Sequence, residues 1–190
     1  MFIEVMMINN TKTLIEFYIT YYIGKANICV DMTCGNGNDS KFILENLSPK
    51  KLYAFDIQEK ARESTFYTLK DLNLSNFTFI LDNHKHVKKY IEDKVDFAIY
   101  NLGYLPSGDK NITTLAKDVL SSLNELMTML NKNAKIIVTF YPGHDSGKLE
   151  ADIILDFFES LPQKDYVITK FDFINQKNNP PFVVMLECRN

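Results

Sequence analysis

The chain has 190 residues and a mass of 22.0 kDa, which suits one ordinary globular domain spanning 1–190. Hydrophobic residues make up 46% and charged residues 24%, which excludes disorder, collagen and coiled coil as its theme. A net charge of −3 and a pI of about 5.6 argue against a protein living by non-specific DNA binding, but allow a local basic patch on a structured RNA.

The N-terminal MFIEVMMINN carries Glu4 and no basic cluster, so it does not read as a secretory signal. Thr13 to Tyr22 reads as a helix opened by a Thr13-x-x-Glu16 capping box, with Leu14, Tyr18 and Tyr21 on one face. The run Ile28-Cys29-Val30 reads as a strand ending in Asp31. A turn rich in Gly and Asn, Met32 to Asn38, leads to a helix over Asp39 to Leu47. The alternation repeats. A strand over Leu52 to Phe55 ends in Asp56 and precedes a helix over Lys60 to Leu72. A strand over Phe77 to Leu81 ends in Asp82 and precedes a short helix near Lys85 to Ile91. A strand over Val95 to Tyr100 ends at Asn101.

After a loop with two glycines and a proline comes a long helix, Thr114 to Leu130, with Leu115, Val119, Leu126 and Leu130 on one side. Ile136 to Tyr141 reads as a strand, and Leu149 to Leu161 as a helix with Ile153, Ile154, Phe157 and Phe158 inward. Two strands follow without an intervening helix, Tyr166 to Phe171 and Phe182 to Glu187. Alternating strands and helices predict an α/β fold, a mostly parallel sheet with helices on both faces, closed by an antiparallel edge hairpin. In such sheets ligands bind beyond the carboxyl ends of the strands, where Asp31, Asp56, Asp82 and Asn101 fall. No apolar run approaches the ~18 residues that span a bilayer. Cys29, Cys34 and Cys188 lack metal-type spacing and read as reduced thiols of a cytoplasmic protein.

The first turn, VDMTCGNGNDSKF, lets the backbone approach a ligand at Gly35 and Gly37 and opens a helix whose amides favour an anionic group. It is not a GxGxxG: Thr33 stands where a glycine would be, and no glycine follows at the helix-packing position. Asp56 lies about 20 residues beyond the turn, where a carboxylate takes a ribose diol. It could instead cap the following helix.

The blocks DMTCGNGND, AFDIQ, NLGYLPSGDKNITT, YPGHDSGKLE and FINQKNNPPF resemble the small bacterial class I methyltransferases known as rRNA methylases. That family includes a tRNA methyltransferase acting on 5-aminomethyluridine at the wobble position. The resemblance runs from about Asn27 to Glu187. It implies a Rossmann-like class I methyltransferase fold, a seven-stranded sheet with an antiparallel C-terminal strand. It also implies S-adenosylmethionine as cofactor. By this resemblance Asp31, Thr33, Gly35, Asn36, Gly37 and Asp39 hold the methionine moiety and the turn around it. Asp56 holds the ribose, Ile57 and Gln58 lie beside the adenine, and Asp82, Asn83 and His84 flank it. Met32 and Ser40 stand where the family more often has Ala and Thr.

Asn101-Leu102-Gly103-Tyr104-Leu105-Pro106 resembles the (Asn/Asp)-Pro-Pro-aromatic motif of amino-group methyltransferases, with Leu-Gly replacing Pro-Pro. The motif implies that Asn101, at the edge of the cofactor site, orients the target nitrogen and that Tyr104 stacks on the base. Lys110, in the following loop, meets phosphate, screens the acceptor amine or is an ordinary solvated lysine. Tyr141 and His144 end the fifth strand at the same end of the sheet. His144 is a candidate general base, with a helix cap or an RNA contact as alternatives. Asn175 and Gln176 have donors and acceptors for a base edge, or stabilise their own hairpin loop. The run Lys85, Lys88 and Lys89 reads as a solvated face or a weak RNA contact. His84 and His86 have no third ligand placed beside them, so no metal is expected.

The leading expectation is an S-adenosylmethionine-dependent RNA methyltransferase whose substrate is the aminomethyl nitrogen of a wobble uridine, reached through the tRNA anticodon region. The alternatives are rRNA or a small-molecule amine as acceptor, a non-enzymatic RNA-binding module and a nicotinamide dehydrogenase. A homodimer is left open, and no membrane partner is expected.

Overall fold

A computed structural model describes residues 7–103 and 115–189. The chain order is α1 (Thr11–Tyr21), β1 (Ile28–Asp31), α2 (Asn38–Leu47), β2 (Lys51–Asp56), α3 (Glu59–Thr68) and β3 (Phe77–Leu81). A 3-10 turn (His84–His86) leads into α4 (Val87–Tyr90). Then come β4 (Val95–Asn101), α5 (Ala116–Met127), β5 (Leu130–Phe140), α6 (Asp145–Ser160), β6 (Tyr166–Phe171) and β7 (Phe182–Cys188).

The strands form one seven-stranded sheet in the order β3-β2-β1-β4-β5-β7-β6. β7 is antiparallel to both of its neighbours, and the other recorded pairings are parallel. The strand residues alternate between two cores, as a pleat with both faces covered requires. Cys29, Phe97, Ile99 and Ile137 join α1 and α2 on one face, while Val30, Ala98, Tyr100, Ile136 and Val138 join α5 and α6 on the other. At the amino end, Asp96 at the start of β4 accepts the amides of Asn27 and Ile28 at 2.7 and 3.0 Å and the side chain of Asn131 at 2.6 Å. That anchors three strands at the end of the sheet opposite the ligand end.

The strand order reverses between β1 and β4, whose carboxyl ends are Asp31 and Asn101. A crevice at this switch point is where an open α/β sheet takes its ligand.

Several expectations need correction. The cap of α1 is Asn10, which accepts the Thr13 amide at 2.9 Å, while Thr13 is the third helical residue and returns its hydroxyl to the Asn10 amide. The buried face is Leu14, Ile15 and Ile19, the last two being four residues apart along the helix, and Tyr21, about 200° around the axis from Ile19, is exposed. α5 is shorter than expected. Leu130 belongs to β5 and pairs with Val95 across a register shift, and Leu115 precedes the helix and is half exposed. On α6, Ile154 and Phe158 are buried but Ile153 points outward. The last two strands form a hairpin, but only β6 is an edge, since β7 inserts between β5 and β6.

Candidate functional site

Beyond the carboxyl ends of β1, β2 and β4 lies a cleft of about 1380 Å³. Single-ligand pockets run to roughly 300–1,000 Å³, so this one has room for two ligands side by side.

The turn after β1 forms its floor. Gly35 and Gly37 adopt φ of +55° and +78°, a region L side chains rarely occupy. A Cβ at Gly37 would also come within 3.0 Å of the Thr65 backbone on α3. Gly37 is therefore the close-packing glycine that the pattern reading found missing. No side chain caps α2, so its first turn faces the cleft with backbone amides.

Three carboxylates surround this turn. Asp31 is almost fully buried, accepting the Ser40 hydroxyl at 2.7 Å and the Thr33 amide at 3.2 Å. Burial first, and the neighbouring Asp39 second, push its carboxyl up to about 7 against those hydrogen bonds. Burial also raises Asp39, while a 3.2 Å bond from the Asn101 amide nitrogen opposes it. Asp56 accepts the Gly35 amide at 3.0 Å and the Gln58 amide at 2.9 Å. Burial raises it, and these amides oppose the rise. Asp56 thus braces the turn as well as starting α3, with a carboxylate left on the cleft wall.

On the far wall the structure brings Asp82, Asn83 and His84 to the cleft. The Tyr90 hydroxyl at 2.7 Å, His86 at 3.1 Å and the Asn83 amide hold Asp82 well below the usual carboxylate range. Asn83 donates to Asp118 of α5 at 2.7 Å. His84 is buried edge-on against Tyr100 at 5.8 Å between centroids, and burial pushes its imidazole down to about 4. Its Nδ1 has no hydrogen-bond partner, which leaves a neutral ring with a free polar edge beside the cleft. Ile57 and Gln58 line the same region.

At the other end, the Asn101 amide N–H donates to the Thr33 hydroxyl at 2.6 Å, tying the end of β4 to the glycine turn. Tyr141, at the end of β5, lines the cleft, and hydrogen bonds from Asn101 and Thr11 partly offset the rise that burial imposes on its hydroxyl. His144 is the N-cap of α6: its Nδ1 accepts the Gly147 amide at 3.0 Å and faces Ser146 at 3.0 Å. The lone pair that a general base needs is spent on the cap, so the geometry favours the capping alternative. Gln176 reaches the cleft, while Asn175 is exposed and is not part of its lining. Tyr104 and Lys110 lie outside the described residues. Lys85, Lys88 and Lys89 pair with Asp118, Glu125 and Asp82 at 3.2, 2.7 and 3.6 Å and are not part of the cleft lining.

Sequence reasoning missed one wall entirely. Thr11, Lys12, Ile15, Glu16 and Ile19 of α1 line the cleft, as do Asn178 to Pro181 from the β6–β7 loop. The signal for α1 was ordinary amphipathic spacing, which says that a face is buried but not what stands next to it.

A sheet of this order with a reversed seventh strand, a glycine turn after β1 and a carboxylate at the end of β2 define a class I methyltransferase fold. The family model described as "Putative rRNA methylase" matches residues 52–187, and the chain belongs to that family. A tRNA (mnm(5)s(2)U34)-methyltransferase of the Arabidopsis thaliana chloroplast is 31% identical over 185 residues, 88% of this chain and 66% of that one. The present chain thus spans just under two thirds of that relative's length. A crystal structure of a "putative rRNA-methylase" from Clostridium thermocellum matches at 37% identity and a TM-score of 0.90, over 96% of this chain and 99% of that one. A "putative methyltransferase" from Streptococcus mutans, in complex with SAH, matches at 35% identity and a TM-score of 0.86, over 96% and 99%.

The cofactor of these methyltransferases is S-adenosylmethionine, and the residues present fit it. The group combines a cationic amino acid end with a ribose diol. The cleft offers Asp39 at one end with Asp31 buried behind it, Asp56 on its wall, and the backbone of Gly35, whose positive φ an L side chain rarely adopts.

Proposed function

We propose that the chain is a cytoplasmic, single-domain RNA methyltransferase that N-methylates the aminomethyl group of 5-aminomethyluridine at the wobble position of tRNA. The observation that supports this reading most directly is Asn101, fixed between the glycine turn and Tyr141 where the cleft is wide enough for a second ligand. The family membership and the likeness to the chloroplast tRNA methyltransferase support an RNA acceptor.

When bound, S-adenosylmethionine supplies an electrophilic methyl group. Asp56 would accept hydrogen bonds from the vicinal hydroxyls of its ribose, and Asp39 would face its ammonium, with Asp31 buried behind. The Asn101 amide nitrogen donates to Asp39, leaving the amide oxygen to accept an N–H of the incoming amine and aim its lone pair. The apolar residues Ile15 and Ile19 of α1 exclude water from one side.

Two variants separate binding from chemistry. Asp56→Ala is expected to remove measurable cofactor binding by calorimetry. Asn101→Ala is expected to retain binding within a few-fold and to lose turnover by about 10²-fold or more. Unchanged cofactor affinity in Asp56→Ala would sink the ribose assignment.

The substrate is tested with methyl-labelled cofactor and total RNA from a strain lacking the gene, followed by size separation. Label in the tRNA fraction, in a nucleoside identified as the methylated aminomethyluridine, is the expected result. Label only in large RNA would favour the rRNA reading that the family's description carries.

A further inference from the structure

A second, smaller pocket of about 190 Å³ opens beside the chemical end of the cleft. It shares Leu102, Gly103, Leu115, Tyr141 and His144 with the main cleft and is closed by the first turns of α6. Its rim is unusually apolar for a surface: Leu115, Tyr141, Leu149 and Ile153 are each more than a third exposed. Large apolar side chains left open around a concavity suit a flat aromatic ligand better than they suit solvent.

The wall also carries a carboxylate. Glu150 lies on α6, and its Oε1 is shut off from solvent without a hydrogen-bond partner. A buried carboxylate oxygen left unpaired is costly to the fold. Burial alone raises this carboxyl, to about 7, with no cation or donor offsetting it. By contrast, the buried carboxylate Asp31 behind the main cleft is bonded to Ser40 and Thr33. Unlike that group, Glu150 has the character of half an interaction.

We propose that this side pocket seats the acceptor base and that Glu150 binds the acceptor's amine and takes its excess proton. The inference rests on the reading of the acceptor as an alkylamine. Such an amine is mostly an ammonium at neutral pH, and its lone pair is then occupied by a proton. The proton passes from the ammonium nitrogen to the Glu150 carboxylate, through the oxygen other than the enclosed Oε1, giving a neutral amine and a carboxylic acid. The acid returns the proton to solvent afterwards. A carboxyl with a proton affinity near neutrality is matched to that exchange, because it can both accept and release the proton at the operating pH. His144, on the same wall, has its Nδ1 occupied as a cap and does not compete for this role.

The test uses the full chain and its Glu150→Gln variant, which keeps the shape and removes the charge. Thermal unfolding at pH 8 is read first. A structural Glu150 would make the variant less stable. Relief of an unpaired buried carboxylate instead raises the melting temperature, by about 2–4 °C for a chain of this size. The second readout is binding of free 5-aminomethyluridine against uridine. The wild type is expected to prefer the aminomethyl nucleoside, and the preference is expected to fall about tenfold in Glu150→Gln. A lower melting temperature, a preference that survives the substitution, or no preference in the wild type would each overturn the proposal. Failure of the tRNA reading looks different. An amine preference that depends on Glu150, with no label in tRNA, keeps this pocket and moves the substrate elsewhere. Label in tRNA with no amine preference does the reverse.

Discussion

Asp31 illustrates how one buried residue links the fold, the ligand and pH. It is held by a serine hydroxyl and a backbone amide, yet burial and Asp39 raise its carboxyl far above the ordinary 3.8. Because the folded value is the higher one, the folded state binds the proton more tightly than the unfolded chain does. Its contribution therefore favours folding at low pH and declines as pH rises from about 4 to about 7. A ligand ammonium against Asp39, whose charge Asp31 feels from behind, reverses the balance by favouring the charged carboxylates. Cofactor binding is thus expected to release protons near pH 6 and to tighten as pH rises through 7. Calorimetry in buffers of different ionisation enthalpy measures this directly. Heats that do not change with buffer would show that the carboxylates are already ionised in the free protein.

At the scale of the element, the turn from β1 into α2 carries most of the specificity. Gly37 combines a left-handed backbone with no room for a side chain: a Cβ there would lie 3.0 Å from the Thr65 Cα on α3. Gly37→Ala is expected to cost about 1–3 kcal/mol, seen as a melting temperature lower by several degrees. Adding Thr65→Ala is expected to return only part of it, since the contact with the α3 backbone and the positive φ both remain. The same turn shows where the sequence was legible. Short apolar runs marked every strand, and strands β3 and β6 agree with their expected bounds at both ends. The carboxylates at the strand ends and the glycine pair were legible for the same reason, since each is a polar or flexible exception inside an apolar pattern. The packing partner of Gly37 was not, because Thr65 lies 28 residues away on another helix and no local pattern encodes the contact. The α1 wall, the cap made by His144 and the side pocket at Glu150 were hidden in the same way. Each depends on which elements the tertiary fold sets side by side.

At the scale of the whole molecule, charge limits how an RNA is held. The chain carries 21 basic and 24 acidic residues, and the most conspicuous lysine run is tied into α5 and Asp82. Around the cleft, Lys12 and Lys41 stand on α1 and α2, and Lys177 stands on the β6–β7 loop. The first two are in exposed pairs with Glu16 and Glu45 at 3.7 and 4.0 Å, which bind little and yield readily to a phosphate. Three rim cations can neutralise about three phosphates. The logarithm of RNA affinity is then expected to fall against the logarithm of salt with a slope of about −2. Lys177→Glu is expected to raise the KM for RNA several-fold with little change in kcat, because the residue meets the backbone and not the reacting nitrogen. Lys88→Ala is expected to leave both unchanged, since its partner is Glu125 on α5. A slope near −7 would demand about ten phosphate contacts. That would mean RNA is gripped by a surface well beyond this cleft rim. A shallow slope leaves affinity to base stacking and amine recognition in the cleft, and a protein of net negative charge then selects its RNA by the acceptor nucleoside more than by the backbone.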